Sequence, residues 1–120
     1  MKRGEIWTLA GGKDYAGKPR PAVIVQDDRF DEISSLTLCP FTTNQLEAPL
    51  FRLAVEPDTI NGLRIVCRLM VDKIMTVPKS KLGRRIGRLS DRDMVRLNRA
   101  MAVFLGIATP AEKKPPHPAL

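Results

Sequence analysis

Apolar residues recur at short, strand-like spacings from Gly4 to Leu89 and at helical spacings only after Ser90. Gly4 to Ala10 alternates Ile6 and Thr8 against Trp7 and Leu9 and stops at Gly11-Gly12, which predicts a first strand running into a loop over Gly11 to Pro19. Pro19 to Gln26 is a β-branched run too apolar to face water on either side, so a central strand is expected there, ended by Asp27-Asp28. Ser34 to Phe41 predicts a third strand and Phe51 to Val55 a fourth, with Phe51, Leu53 and Val55 on one face and Asn61-Gly62 as the following turn. Arg64 to Ile74 reads as one longer strand with Ile65, Cys67, Leu69 and Val71 turned inward, and a short last strand is expected over Arg85 to Leu89. Ser90 then has the makings of an N-cap, with Asp91 and Asp93 in the first turn, where the helix dipole favours negative charge. Met94, Leu97, Met101, Phe104 and Leu105 form the apolar stripe of that helix, and Gly106 closes it. Beyond Ala108 the sequence holds Pro110, Pro115, Pro116 and Pro118 and little to bury. The expectation is therefore one mainly-β domain over residues 1–108, a small antiparallel barrel with a C-terminal helix laid against it, and a Pro-rich disordered tail over residues 109–120.

Composition narrows the classes. A chain of 120 residues that is 43% hydrophobic and 28% charged has room for a single core and no second domain. Its apolar runs are far shorter than the ~18 residues a bilayer span needs, so no membrane association is expected. The opening Met1-Lys2-Arg3-Gly4-Glu5 has no apolar stretch behind it, which predicts a cytoplasmic protein rather than a secreted one. Cys39 and Cys67 lie in strand-like stretches and read as small buried thiols in a reducing compartment. With His117 as the one histidine, placed in the tail, neither a zinc site nor a histidine-based triad can be assembled in the folded part. No cofactor is implied. The net charge is +7, and between Lys79 and Arg99 eight cations face only Asp91 and Asp93. Arg92, Arg96 and Arg99 share one helical stripe, which suits either a solvated face or part of a polyanion surface binding without sequence preference.

Two local features carry candidate chemistry. In Pro19-Arg20-Pro21 the first proline fixes its own φ and the second holds Arg20 in the extended region, so the backbone beneath this guanidinium is stiff before any ligand arrives. Such an arginine, between a loop and a buried strand, suits a bidentate grip on phosphate, or equally an ion pair at a barrel rim. Thr42-Thr43-Asn44-Gln45 ends the third strand with hydroxyls and amides able to donate to a phosphate oxygen or a base edge, and the same residues are common in turns. Tyr15, in the first loop, is a candidate for stacking on a base. Gly11-Gly12 matches no nucleotide-phosphate loop.

The run Lys2-Arg3-Gly4-Glu5-Ile6-Trp7, then Gly17-Lys18-Pro19-Arg20-Pro21-Ala22-Val23-Ile24-Val25, then Cys39-Pro40-Phe41-Thr42-Thr43 before a terminal amphipathic helix, resembles the MazF/PemK family of toxins from bacterial toxin–antitoxin pairs. The likeness extends over nearly all of residues 2–106. It implies an SH3-like barrel, a homodimer, and metal-independent, ribosome-independent cleavage of single-stranded mRNA at short sequences, restrained by a cognate antitoxin with an acidic segment. It also implies catalytic roles for Arg20 and Thr42 and makes Lys18, Tyr15, Thr43, Asn44, Arg68 and Asp72 the candidate RNA-binding residues. The chain departs from the pattern at Cys67 and Leu69, where some members carry Arg or Asp, so Arg68 or Asp72 on the same outer face is expected to substitute, or the Arg20/Thr42 pair acts alone. The general base stays open between Asp72, Asp14, Tyr15 and a substrate-assisted route. Two other readings use the same barrel: a toxin that poisons DNA gyrase through its terminal helix, and a non-catalytic nucleic-acid-binding barrel. Arg20 and Thr42 favour the nuclease, because a gyrase poison has no use for them.

Overall fold

A computed structural model describes residues 1–10 and 19–109. The elements in chain order are β1 (Glu5–Leu9), β2 (Arg20–Ile24), β3 (Ser35–Thr42), β4 (Arg52–Val55), β5 (Cys67–Met70), β6 (Met75–Pro78), β7 (Leu82–Arg88) and α1 (Asp91–Phe104). Every strand pairing is antiparallel, in the order β4-β5-β3-β2-β1-β7, with β6 also against β3. The ladder is not closed between β7 and β4, so the sheet is barrel-like rather than a sealed barrel.

The β-branched run of β2 lies between β1 and β3, and Ala22, Val23 and Ile24 are no more than 1% exposed, as expected of a strand covered on both faces. The core joins Ile6, Val23, Cys39, Phe41 and Leu69 from the sheet to Leu97 and Ala100 from α1. Ser90 caps α1 as expected, its Oγ accepting from the Asp93 N–H at 3.1 Å, a bond worth about 1 kcal/mol. At the other end Gly106 takes φ +75°, the Ile107 N–H donates to the Ala102 carbonyl and the Gly106 N–H to that of Val103, the crossed pair that ends helices on a left-handed glycine.

Three expectations are corrected. The stretch from Arg64 to Ile74 is not one strand: β5 spans only Cys67–Met70, a 3-10 turn occupies Val71–Lys73, and the chain re-enters the sheet as β6. Both pieces pair with β3, Thr42↔Arg68 through β5 and Leu38↔Met75 through β6, so the turn absorbs a register shift along one partner. Ile65, expected inward, precedes the strand and is 58% exposed. Second, β7 begins at Leu82, three residues before the expected strand. Third, the buried face of α1 is Asp93, Leu97 and Ala100, while Phe104 and Leu105, expected in the stripe, are exposed because the last turn runs past the core cluster. Phe104 touches only the rim there, 6.4 Å between ring centroids from Phe51. The loop carrying Asp14, Tyr15 and Lys18, and the tail from residue 110 with His117, lie outside the described residues.

Candidate active site

The geometry at the open end of the β2–β3 ladder follows from register. Ala22 pairs with Pro40, Val23 with Cys39 and Ile24 with Leu38, and just past the last of these pairs Arg20 and Thr42 line one cleft. On the far side of β3, Thr42 pairs with Arg68 of β5. Directly opposite residues of an antiparallel pair project on the same face. Thr42 therefore shares a face with Arg68 and a cleft with Arg20, although the three are far apart in sequence.

Arg20, Thr42 and Thr43 line a cleft of about 230 Å³ together with Pro19, Pro21, Phe41 and Cys67. Its floor is stiff: Pro19 and Pro21 bracket the arginine, Phe41 is 1% exposed and Cys67 is 6% exposed. The Thr42 Oγ1 accepts the Asn44 N–H at 3.1 Å, a local turn that fixes the oxygen and leaves its proton as the donor the cleft can offer. Asn44 is itself held in a second turn, its Oδ1 accepting from Leu46 N–H at 2.9 Å. Thr43 belongs to the cleft, whereas the Asn44 side chain is committed to the loop.

The other sequence candidates fall elsewhere. Arg68 donates to the Gln45 Oε1 and, at 3.1 Å, to Glu47 Oε1, so it braces the loop that follows Thr42. Asp72 does not share a strand face with Arg68, since it sits in the 3-10 turn. There it takes a bidentate grip from Arg52, 2.7 Å from Nε and 2.9 Å from Nη2, an arginine the sequence reading did not single out. The Arg52 hydrogen bonds hold the Asp72 carboxyl below its ordinary range, which makes it a poor proton acceptor. Cys67 and Leu69, the positions of departure, are buried, and no described residue lining the cleft carries a carboxylate. Cys39, fully buried in the layer beneath, has its thiol pushed up to about 12 by burial, with the Asp72 charge adding to it, and Cys67 is raised by burial as well. Both read as apolar packing rather than nucleophiles.

The basic belt is divided by the fold. Arg96 bends back to donate to the Ala54 carbonyl at 2.9 Å and pairs with Asp93 at 2.8 Å, so the helical stripe is not uniformly solvated. Arg84 and Arg85 stand on β7 beside a second hollow that shares Pro19, Pro21 and Cys67 with the first.

Comparison with known proteins places the whole folded part in one family. The family described as PemK-like, MazF-like toxin of type II toxin–antitoxin system matches residues 2–105. The chain belongs to this PemK/MazF toxin family. Among curated relatives, a probable endoribonuclease MazF of Mycolicibacterium smegmatis is 55% identical over 108 residues, 90% of this chain and 99% of the relative. Endoribonuclease MazF9 of Mycobacterium tuberculosis is 30% identical over 117 residues, 89% of this chain and 98% of that one. A solved mycobacterial endoribonuclease in complex with its cognate antitoxin superposes with TM-score 0.75 at 24% identity, over 92% of this chain and 99% of its own. The Mycobacterium tuberculosis toxin MazF-mt6 superposes with TM-score 0.70 at 25% identity, over 85% and 96%. The PemK/MazF likeness thus runs from β1 through α1 and includes both Arg20 and Thr42. Among the described residues no helix is long and apolar enough to cross a membrane.

Proposed function

We propose that this toxin is an endoribonuclease that cleaves single-stranded mRNA at short preferred sequences, without metal and without the ribosome, acting in the cytoplasm as a homodimer under a cognate antitoxin. The observation that carries the reading is that Arg20 and Thr42 line one stiff cleft whose described lining has no carboxylate. RNA supplies its own nucleophile, the 2′-OH. An enzyme that uses it needs charge stabilisation at the phosphorane and proton traffic at the 2′ and 5′ oxygens, not a covalent side chain. The Arg20 guanidinium takes the developing charge on the non-bridging oxygens, and the Thr42 hydroxyl donates to one of them and fixes the in-line pose. Arg68 keeps the loop after Thr42 in place through Gln45 and Glu47. The 2′ oxygen–phosphorus bond forms as the bond from phosphorus to the 5′ oxygen breaks, and the proton lost from the 2′-OH to solvent is balanced by one taken up from solvent by the departing 5′ oxygen, giving a 2′,3′-cyclic phosphate and a 5′-OH. Asp72, engaged by Arg52, is not the base in this scheme. An antitoxin with an acidic segment suits a +7 partner, and covering Arg20 would exclude the substrate.

The test is incubation with a long unstructured RNA in EDTA, cut sites being read by primer extension. Discrete cuts that survive the chelator are expected, with Arg20→Ala slowed roughly 10²–10³-fold, the loss typical of a missing oxyanion donor. Thr42→Ala should be impaired in the same assay. Undiminished cutting by Arg20→Ala would sink the assignment.

A further inference from the structure

The hollow next to the Arg20–Thr42 cleft has about 560 Å³ and is walled by Thr8, Gly62, Leu63, Arg64, Arg84 and Arg85, meeting the first cleft at Pro19, Pro21 and Cys67. Its geometry is unusual for a strand. Consecutive residues of a regular strand point to opposite faces, yet Arg84 and Arg85 line the same hollow. The cause is a break in the β1–β7 ladder: Ile6 pairs with Gly87 but Trp7 with Arg85 and Leu9 with Leu82, two shifts that re-aim the strand between them. At the break the Thr8 Oγ1 accepts the Arg84 N–H at 3.0 Å, a contact open only because residue 83 is glycine, whose Cβ would stand 2.4 Å from that oxygen.

The opposite wall is equally built. Asn61 is wholly buried, its Oδ1 accepting from the Asp58 and Leu63 N–H groups and its Nδ2 donating to the Glu56 carbonyl. Gly62 at φ +72° lies against the Ile86 carbonyl, and Ile60 accepts the Arg88 N–H at 2.9 Å. This clamp presents Arg64 across from β7. Arg64, Arg84 and Arg85 are all exposed, and the one acid among their described ion pairs is Glu5, 3.6 Å from the Arg85 Nε. No carboxylate lines the hollow among the described residues.

We propose that Arg64, Arg84 and Arg85 form a phosphodiester-binding subsite that continues the Arg20–Thr42 cleft and grips the RNA backbone beside the bond to be cut. The inference rests on the nuclease reading for which strand it holds, but its chemistry is that of a polyphosphate chain laid between three guanidinium groups. Of the basic belt, then, the β7 pair serves the substrate and the helical arginines do not.

The experiment measures anisotropy of a fluorescein-labelled 2′-O-methyl oligonucleotide of roughly 12 nucleotides, which has no free 2′-OH and cannot be cut. Wild type is compared with Arg84→Gln/Arg85→Gln, with Arg64→Gln, and with Arg92→Gln/Arg99→Gln, which removes the same charge from the helix. Loss of phosphate contacts lowers the slope of log K against log salt by about 0.7 per contact on a single strand. The β7 variant should therefore lose about 1.4 in slope and at least about tenfold in affinity at low salt, Arg64→Gln about half that slope, and the helix variant distinctly less. Arg64→Gln, in a turn outside the ladder, keeps the test valid if the β7 variant folds poorly. Equal losses in the β7 and helix variants would mean a diffuse basic surface and overturn the subsite. Affinity lost together with a changed sedimentation coefficient would overturn it too, assigning these arginines to assembly instead. Cleavage by wild type is scored separately: a wild type that binds through β7 yet never cuts refutes the nuclease reading and leaves the subsite standing.

Discussion

At the residue scale the sharpest contrast is between two arginines. Arg20, stiffened by prolines, lines the cleft, while Arg52 directs its Nε and Nη2 at Asp72 and lies 5.9 Å from the centroid of the Phe51 ring. The second pair pins the 3-10 turn that separates β5 from β6, with Arg52 only 10% and Asp72 only 23% exposed at the side chain. Asp72→Asn keeps the shape and removes the charge, and should cost about 1–3 kcal/mol in denaturant unfolding near neutral pH. The pH dependence has a definite sign. Because the Arg52 bond lowers the folded-state pKa of Asp72, its contribution is fully present above the unfolded value of about 3.9 and disappears as pH falls through the lower folded value. Urea midpoints of wild type and Asp72→Asn should converge as pH falls below the unfolded value of about 3.9 and through the lower folded value, and a gap that stays constant on acidification would show that the charge is not what stabilises the turn.

At the scale of elements, what the sequence revealed depended on how local the signal was. The doubly covered β2 and the capped, glycine-terminated α1 were readable because a β-branched run and a Ser-x-x-Asp start with a glycine stop act within a few residues. The break at Val71–Lys73 was not, since Val71 continues the strand alternation and is buried either way, so periodicity cannot see that the backbone has turned. Arg20 and Thr42 could be singled out by type, but their meeting in one cleft depends on how β2 and β3 pair, and the Arg64–Arg84–Arg85 hollow depends on ladder shifts that no local pattern announces. The one local hint was Asn61-Gly62. That turn is predicted to matter for contact as well as for conformation: a Cβ on Gly62 would meet the Ile86 carbonyl at 2.1 Å, whereas Gly106, at a similar φ of +75°, has nothing within 4 Å. Gly106→Ala should therefore lose only the left-handed penalty of about 1–2 kcal/mol, and Gly62→Ala clearly more, by thermal unfolding. Equal losses would mean that the turn does not press on β7 as described.

At the scale of the whole molecule, charge sets how partners arrive. With a net +7 and Arg20, Arg64, Arg84 and Arg85 lining two joined clefts, the face proposed to receive RNA is also the one that would attract an acidic antitoxin segment. On that proposal substrate and inhibitor would compete for the same field rather than for a shape alone. Screening acts on such a field over a Debye length of about 10 Å at 0.1 M salt and about 3 Å at 1 M. Calorimetric titration of the toxin with an acidic antitoxin peptide should accordingly show affinity falling steadily as salt rises. Arg84→Gln/Arg85→Gln should flatten that dependence in proportion to its effect on the oligonucleotide. If the peptide binds with an affinity indifferent to salt, its hold is hydrophobic and directed elsewhere, and inhibition must then work by moving the cleft rather than by filling it.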